Sequence, residues 1–243
     1  MKKISLYIII VFCSTNLLAQ QIEDRDLNTL LRNNFTLGLN LNTRGWGFNA
    51  DYQKQKTFKY KYSYGVTVGN IRHSKESKIV GTSGSKGYYF GKINSLVAIR
   101  FTYGGNLRLF ESKRENGIEI FYKWRIGPSL GLLKPVYVQI DKVVNANTIQ
   151  IPERYNPEIH FNGKISSSSS WIKGIGESKL NYGLFLKTAI DFNFAKERTS
   201  ITGGELGVMV DYYPFKNIEI LYKHNEISLF TALYLQFNLG KKF

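Results

Sequence analysis

The 243-residue sequence has one cysteine, Cys13, close to the N-terminus. Once an N-terminal leader is removed, no thiol remains. That excludes a disulfide framework and a Cys-ligated metal. Proline is scarce too, 5 against 22 glycines, so few positions forbid a ladder hydrogen bond. Acidic residues number 18 against 33 basic ones, a formal charge of +15. Beyond the N-terminal segment no run approaches the ~18 apolar residues a spanning helix needs, which excludes a helical membrane protein. Three histidines, His73, His160 and His224, are too scattered for a metal site without closer acidic partners. The sequence implies no cofactor. Gly45-Trp46-Gly47 lacks the helix that a phosphate cradle needs.

What is present begins with an export signal. Met1-Lys2-Lys3 precedes the apolar stretch Ile4 to Phe12, and Leu17-Leu18-Ala19 leads to Gln20-Gln21. Residues 1–19 read as a cleaved secretory signal peptide, followed by a periplasmic N-terminal segment, 20–34. The apolar core is too short to span a bilayer. Cys13 follows the bulky Phe12, which does not suit lipid attachment. Cleavage takes Lys2 and Lys3, so +15 less 2 leaves +13. The remaining basic residues are spread over separate turns without a recognition motif, which argues against nucleic acid. They suit solvated turns, or the phosphate-rich surface of a membrane.

With 16 Tyr, 16 Phe and 3 Trp, the chain alternates greasy and polar positions in eight stretches. A strand has period two, so each stretch has one apolar face. The clearest runs from Leu180 to Phe194. Its even positions are Leu, Tyr, Ile, Phe and one Thr, and its odd positions include Lys187 and Asp191. The others begin near Phe35, Trp46, Lys59, Ile93, Ile118, Glu205 and Leu229. The fifth alternates to Ile126 and has a tail up to Ile140 that Pro128 and Pro135 are expected to interrupt. Two long loops separate strands, 72–91 and 141–179. The second carries the serine run Ser166 to Ser170, which reads as irregular and flexible. Pro214 to Ile227 reads as a further loop. Long and short links alternate, the pattern of membrane barrels with long outer loops and short periplasmic turns.

A β-sandwich also alternates. However, the apolar face here is loaded with aromatics near strand ends, as interfacial girdles require. The opposite face is rich in glycine (Gly38, Gly47, Gly65, Gly69, Gly183, Gly207), which suits a crowded lumen. Lipid cannot satisfy a free sheet edge, so the sheet must close. The expected fold is all-β: a closed antiparallel transmembrane β-barrel of about eight strands, spanning residues 35–243. Phe243 ends an alternating strand (Leu229, Thr231, Leu233, Leu235, Phe237, Leu239). This ending resembles the terminal strand of bacterial outer-membrane barrels, in which a C-terminal aromatic serves as an assembly signal. By pattern the chain resembles the small OmpA/OmpX-type barrels, and the basic, aromatic-rich outer-membrane barrels of Bacteroidota, PorT-like proteins among them. The resemblance implies a Gram-negative outer membrane. It also implies contact with outer-membrane lipids and lipopolysaccharide, recognition by the barrel assembly machinery, and a secretion-system or surface protein as partner.

Inward parity places Asp51, Arg100, Glu119, Lys123, Arg125, Lys187, Asp191, Glu205 and Asp211 in the lumen. Four are basic and five acidic. Buried charges must pair, so they are expected to form an internal ion network. An eight-stranded barrel is filled by its own side chains. A narrow channel for small solutes is the other reading of this set. A second alternative, a lipid A-modifying enzyme of deacylase type, would draw on His73 and Ser74, or on His224, Glu226 and Ser228, at the outer rim. Neither grouping has a diagnostic spacing. The expected function is non-enzymatic: surface interaction, envelope integrity or assistance to secretion.

Overall fold

The computed structural model describes residues 33–79, 87–110, 117–144, 147–160, 165–194, 200–223 and 227–243. The signal peptide with Cys13, most of segment 20–34, His224 and Glu226 lie outside the described residues.

In chain order the strands are β1 (Asn34–Asn42), β2 (Gly45–Gln55), β3 (Tyr60–Ile71), β4 (Lys78–Ile79), β5 (Tyr88–Tyr89), β6 (Asn94–Phe110) and β7 (Ile118–Pro135). They continue with β8 (Tyr137–Val144), β9 (Asn147–Arg154), β10 (Ile165–Ser168), β11 (Lys179–Phe194), β12 (Ser200–Tyr212) and β13 (Leu229–Lys242). A 3-10 turn, Ile175–Glu177, precedes β11. Eight strands close into a barrel in the order β1-β2-β3-β6-β7-β11-β12-β13. Closure is made by β1 on β13, from Asn34 opposite Lys242 to Asn42 opposite Tyr234. The closed antiparallel transmembrane barrel expected from the alternation is the fold observed.

The alternation also sets the faces. On β11, Leu184 and Leu186 are exposed while Phe185, Lys187, Ala189 and Asp191 are buried. The same holds on β13, where Leu233 and Phe237 point out and Tyr234, Gln236 and Asn238 point in. An outward belt of this kind is stable only against lipid, because water would charge ~25 cal/mol for each Å² of it. Lumen glycines make room: a Cβ on Gly65 would lie 1.9 Å from Asp51 Oδ1, and one on Gly38 2.6 Å from Asn238 Oδ1.

One end of the barrel, called the lower end here, carries the β2–β3, β6–β7 and β11–β12 links and both Asn33 and Phe243. These two pair through reciprocal backbone hydrogen bonds of 2.9 Å. The upper end carries the tight turn Thr43–Arg44 and three long links, 72–93, 136–178 and 213–228.

Three expectations are corrected at the upper end. Pro128 does not interrupt the fifth strand: β7 runs through it to Pro135. On the β6 side the register is kept at Arg100↔Ser129 and resumes at Tyr103↔Ile126, so the proline costs only a local gap. Residues 141–179 are not one irregular loop, because β10, β8 and β9 form a three-stranded sheet. Within it the serine run is partly strand: Ser167 and Ser168 pair with Gln139 and Val138, and the Ser169 amide donates to the Tyr137 carbonyl at 3.1 Å. Link 213–228 is not a simple exposed loop either, since Ile218, Ile220 and Leu221 are buried in the barrel mouth.

Candidate functional site

The lumen is built from the inward residues of all eight strands. At mid-height, Lys123 on β7 lies 2.8 Å from Asp191 on β11 and 3.1 Å from Glu205 on β12. Lys187 approaches Glu205 at 2.8 Å and also donates to Gln236 Oε1 at 2.8 Å. Tyr234 donates its hydroxyl proton to Glu205, and Lys187 lies 4.4 Å from the centre of the Tyr234 ring. Gln236 donates to Asn238 at 2.6 Å, and Asn238 to Asp191 at 3.1 Å. Nearby, Arg125 and Asp51 face each other at 4.0 Å, with Arg125 also donating to the Gly105 carbonyl. Higher up, Arg100 forks onto both Asp211 oxygens at 2.7 and 2.9 Å, and Ser129 donates to the same carboxylate. The guanidinium stacks 4.9 Å from the Phe185 ring. At the lower rim Glu119, only partly covered, lies 3.9 Å from both Arg108 and Lys242. All nine inward charges named from the sequence thus have a counter-charge within 4.0 Å.

Lys61 is buried at the lower end as well and was not among the nine, although its odd position on β3 put it on the inward face. The polar bridges Gln236, Asn238, Ser129 and Tyr234 were also missed. Neutral residues gave no charge signal, and their partners lie on other strands.

Above Arg100 the lumen turns apolar. Ile71, Leu96, Ala98, Leu133 and Phe230 of the barrel pack with Tyr213, Ile218 and Ile220 of the last link. Backbone bonds lock that link to the β5–β6 connection: Ile93 donates to Ile220 at 3.0 Å and Tyr222 to Gly91 at 2.8 Å. A second apolar cluster joins the other two links, with Tyr88 packed against Val138, Ile140, Tyr155 and Ile165. The Gly91 amide donates to the Tyr155 hydroxyl at 3.1 Å. The described parts of the three long upper links therefore pack into one platform over the mouth.

An open cleft of about 660 Å³ lies in this platform, lined by Glu153, Asn156, Glu158, His160, Glu219 and Tyr222 among others. His160 is buried and stacked on Tyr155. Its Nδ1 accepts the Asn156 amide at 3.0 Å, so the proton sits on Nε2, 3.3 Å from Glu153. Both ring nitrogens are committed, and neither is placed to activate a serine. Glu153 is held below the usual carboxylate range by its hydrogen bond from Lys142 and then by that from His160. Glu158 accepts from the Tyr222 hydroxyl.

The rim residues named for catalysis stand as follows. The His73 Nδ1 accepts the Lys75 amide at 3.2 Å, and Ser74 is exposed. The nearest acid, Glu76, is spent on the His73 amide at 3.0 Å and on Lys92 at 2.8 Å. The Ser228 carbonyl accepts from the Tyr213 amide at 2.8 Å. Its two companions, His224 and Glu226, lie outside the described residues. Phe243 is exposed, its ring 6.2 Å from that of Tyr52.

No family model and no curated protein matches the chain. Among solved structures, it is similar to Ail, the attachment invasion locus protein of Yersinia pestis, at 8% identity and a TM-score of 0.39. That match covers 87% of this chain and 97% of that one. Neisserial surface protein A is similar at 6% identity, with the same TM-score and coverage of 87% and 95%. The N-terminal β-barrel domain of Pseudomonas aeruginosa OprF gives 6% and 0.36, over 87% and 97%.

Proposed function

We propose that the chain is a non-enzymatic outer-membrane protein of a Gram-negative cell. In this reading the packed barrel is an anchor and the upper platform a binding surface turned outward. One observation carries it: the described parts of the three long links pack into a platform, and that platform leaves large apolar side chains in the open. On the links Phe215 is 85% exposed, Ile172 73%, Ile159 66% and Trp171 61%. Rigid scaffolds that hold recognition residues on their connecting segments commonly work in this way. The orientation follows the link lengths, with long links outward and the Asn33–Phe243 end in the periplasm. In this reading the exposed Phe243 is the assembly signal. The lumen network supports an anchor rather than a channel, since side chains fill the barrel from Glu119 to Ile218. The commitments of His73, Glu76 and His160 do not favour a deacylase. The secretion-accessory role implied by the PorT-like resemblance would use the same platform, with a protein of the secretion machine as partner.

The test is photocrosslinking in whole cells. A crosslinking residue at Phe215 or Ile172 should give a discrete protein or lipopolysaccharide adduct, and one at Ser200 on the lower end should not. Adducts from Ser200 alone would overturn the orientation. A lost lipid A acyl chain, detected by mass spectrometry on expression of the protein, would overturn the non-enzymatic reading.

A further inference from the structure

We propose that the barrel wall from β1 to β7 holds an anionic glycerophospholipid of the inner leaflet, with its tails in an apolar groove and its phosphate on Lys54 and Lys56. This rests on the membrane orientation proposed above.

The groove comes from the order of side chains on neighbouring rungs of the wall. One rung is Phe35, Tyr52, Tyr64, Tyr103 and Ile126, adjacent across β1, β2, β3, β6 and β7. The rung above it carries Ala50, Val66 and Phe101, with Pro128 on β7. Ala50 and Pro128 are shorter than the Tyr52, Tyr64, Tyr103 and Ile126 side chains of the rung below. Between the two rungs the inward positions on β3 and β7 are Gly65 and Gly127, which add no bulk. The result is a shallow groove of about 600 Å³, lined by these residues and almost wholly apolar. At this height its surroundings are hydrocarbon, and a lipid tail is the occupant that fits.

The lower end of the groove is marked by tyrosines and lysines. Tyr64 and Tyr103 rings lie 5.3 Å apart, and Tyr103 stacks on Tyr62 at 6.1 Å. Lys54 is the cross-strand neighbour of Tyr62. Lys56 donates to the Tyr62 hydroxyl at 2.8 Å and lies 5.0 Å from that ring. An ammonium has three donors, so this bond leaves two for a ligand. Both lysines are exposed, and the turn 54–59 carries a third, Lys59, with no acidic residue. Tyrosines at headgroup level above such a turn form an interfacial girdle with a local positive field. A diacyl lipid with a net negative headgroup matches both parts, tail to groove and phosphate to lysine.

The experiment is native mass spectrometry of the folded barrel, released from detergent after addition of equal amounts of phosphatidylglycerol and phosphatidylcholine. One retained phosphatidylglycerol is expected, favoured on the order of tenfold to thirtyfold, the sum for two lysines near the surface. K54Q/K56Q should abolish the preference, and K54R/K56R should keep it. Ala50→Trp, which fills the groove, should lower retention of both lipids. Folding of each variant is checked by its heat-modifiable migration on a gel. Equal retention of the two lipids by the native protein would overturn the proposal, as would an unchanged preference in K54Q/K56Q. If the barrel fails to insert into vesicles at all, the membrane reading itself is wrong. Insertion without lipid preference defeats only the lipid site.

Discussion

Glu205 shows what single residues contribute in this lumen. Its carboxylate takes Lys123, Lys187 and the Tyr234 hydroxyl at once, and it is almost fully buried. Taken alone, each of these charges would cost several kcal/mol to bury, so removing one partner strands the others. Glu205→Gln should destabilise the barrel by about 3–5 kcal/mol, read as the shift in urea-induced unfolding from lipid vesicles. The Arg100–Asp211 fork gives the complementary measurement. Replacing both by Met and Leu together should cost less than replacing Asp211 alone, because no unpaired charge is left. A null difference between single and double variants would mean that the pair is not desolvated. Glu153 on the platform behaves differently, being accessible to titration. Its depressed carboxyl binds protons less readily in the folded protein than in the unfolded chain. Its contribution is therefore present above the ordinary glutamate value of about 4.3 and is lost as pH falls through the depressed one. Hydrogen exchange at the β9 end near Arg154 and Tyr155 should accelerate below that window while the barrel stays protected. Glu153→Gln should remove the pH dependence.

At the level of elements, period two made the barrel strands readable and also set the limit of what could be read. Parity alone put Lys187 and Asp191 inside and Leu184 and Leu186 outside, because a strand has only two faces. It could not say that Lys187 meets Glu205 on β12, since inter-strand register is a long-range property. The platform was less legible. β10 is four residues, Ile165 to Ser168, three of them serine, and its strand character comes from pairing with β8 rather than from propensity. The burial of His160 and Ile218 likewise depends on neighbours brought from other links. Two outcomes follow for these elements. On β11, Leu186→Arg should cost about 2–4 kcal/mol if Leu186 is near the bilayer midplane. Spin labels at 184 to 191 should show oxygen access high at even and low at odd positions, and equal access throughout would contradict the wall. On the platform, surface protease should cut the paired serines of β10 more slowly than an unpaired loop of the same composition. Rapid cleavage within 166–168 would show that the β10–β8 pairing is not kept in solution.

For the whole molecule, the two levels of closure matter more than either alone. The polar network fills the barrel from Glu119 up to Arg100 and Asp211, and the apolar plug of Ile218, Ile220, Tyr213 and Phe230 seals the mouth above it. Only one of these seals belongs to a removable link. Eight strands leave an interior that side chains just fill, so ions need both seals opened. Three proteins in planar bilayers decide the matter. The native protein should show no conductance steps. Replacing residues 214–227 by a short turn removes the plug but leaves the ion pairs, and should also show none. Adding alanine at Arg100, Asp211, Lys123, Lys187, Asp191 and Glu205 to that shortened chain removes the network along the lumen, and only then should brief steps appear. Steps from the shortened chain alone would mean that the plug, and not the ion network, is the barrier. In that case the barrel would be a gated pore with the 213–228 link as its lid, and its upper platform would serve passage rather than binding.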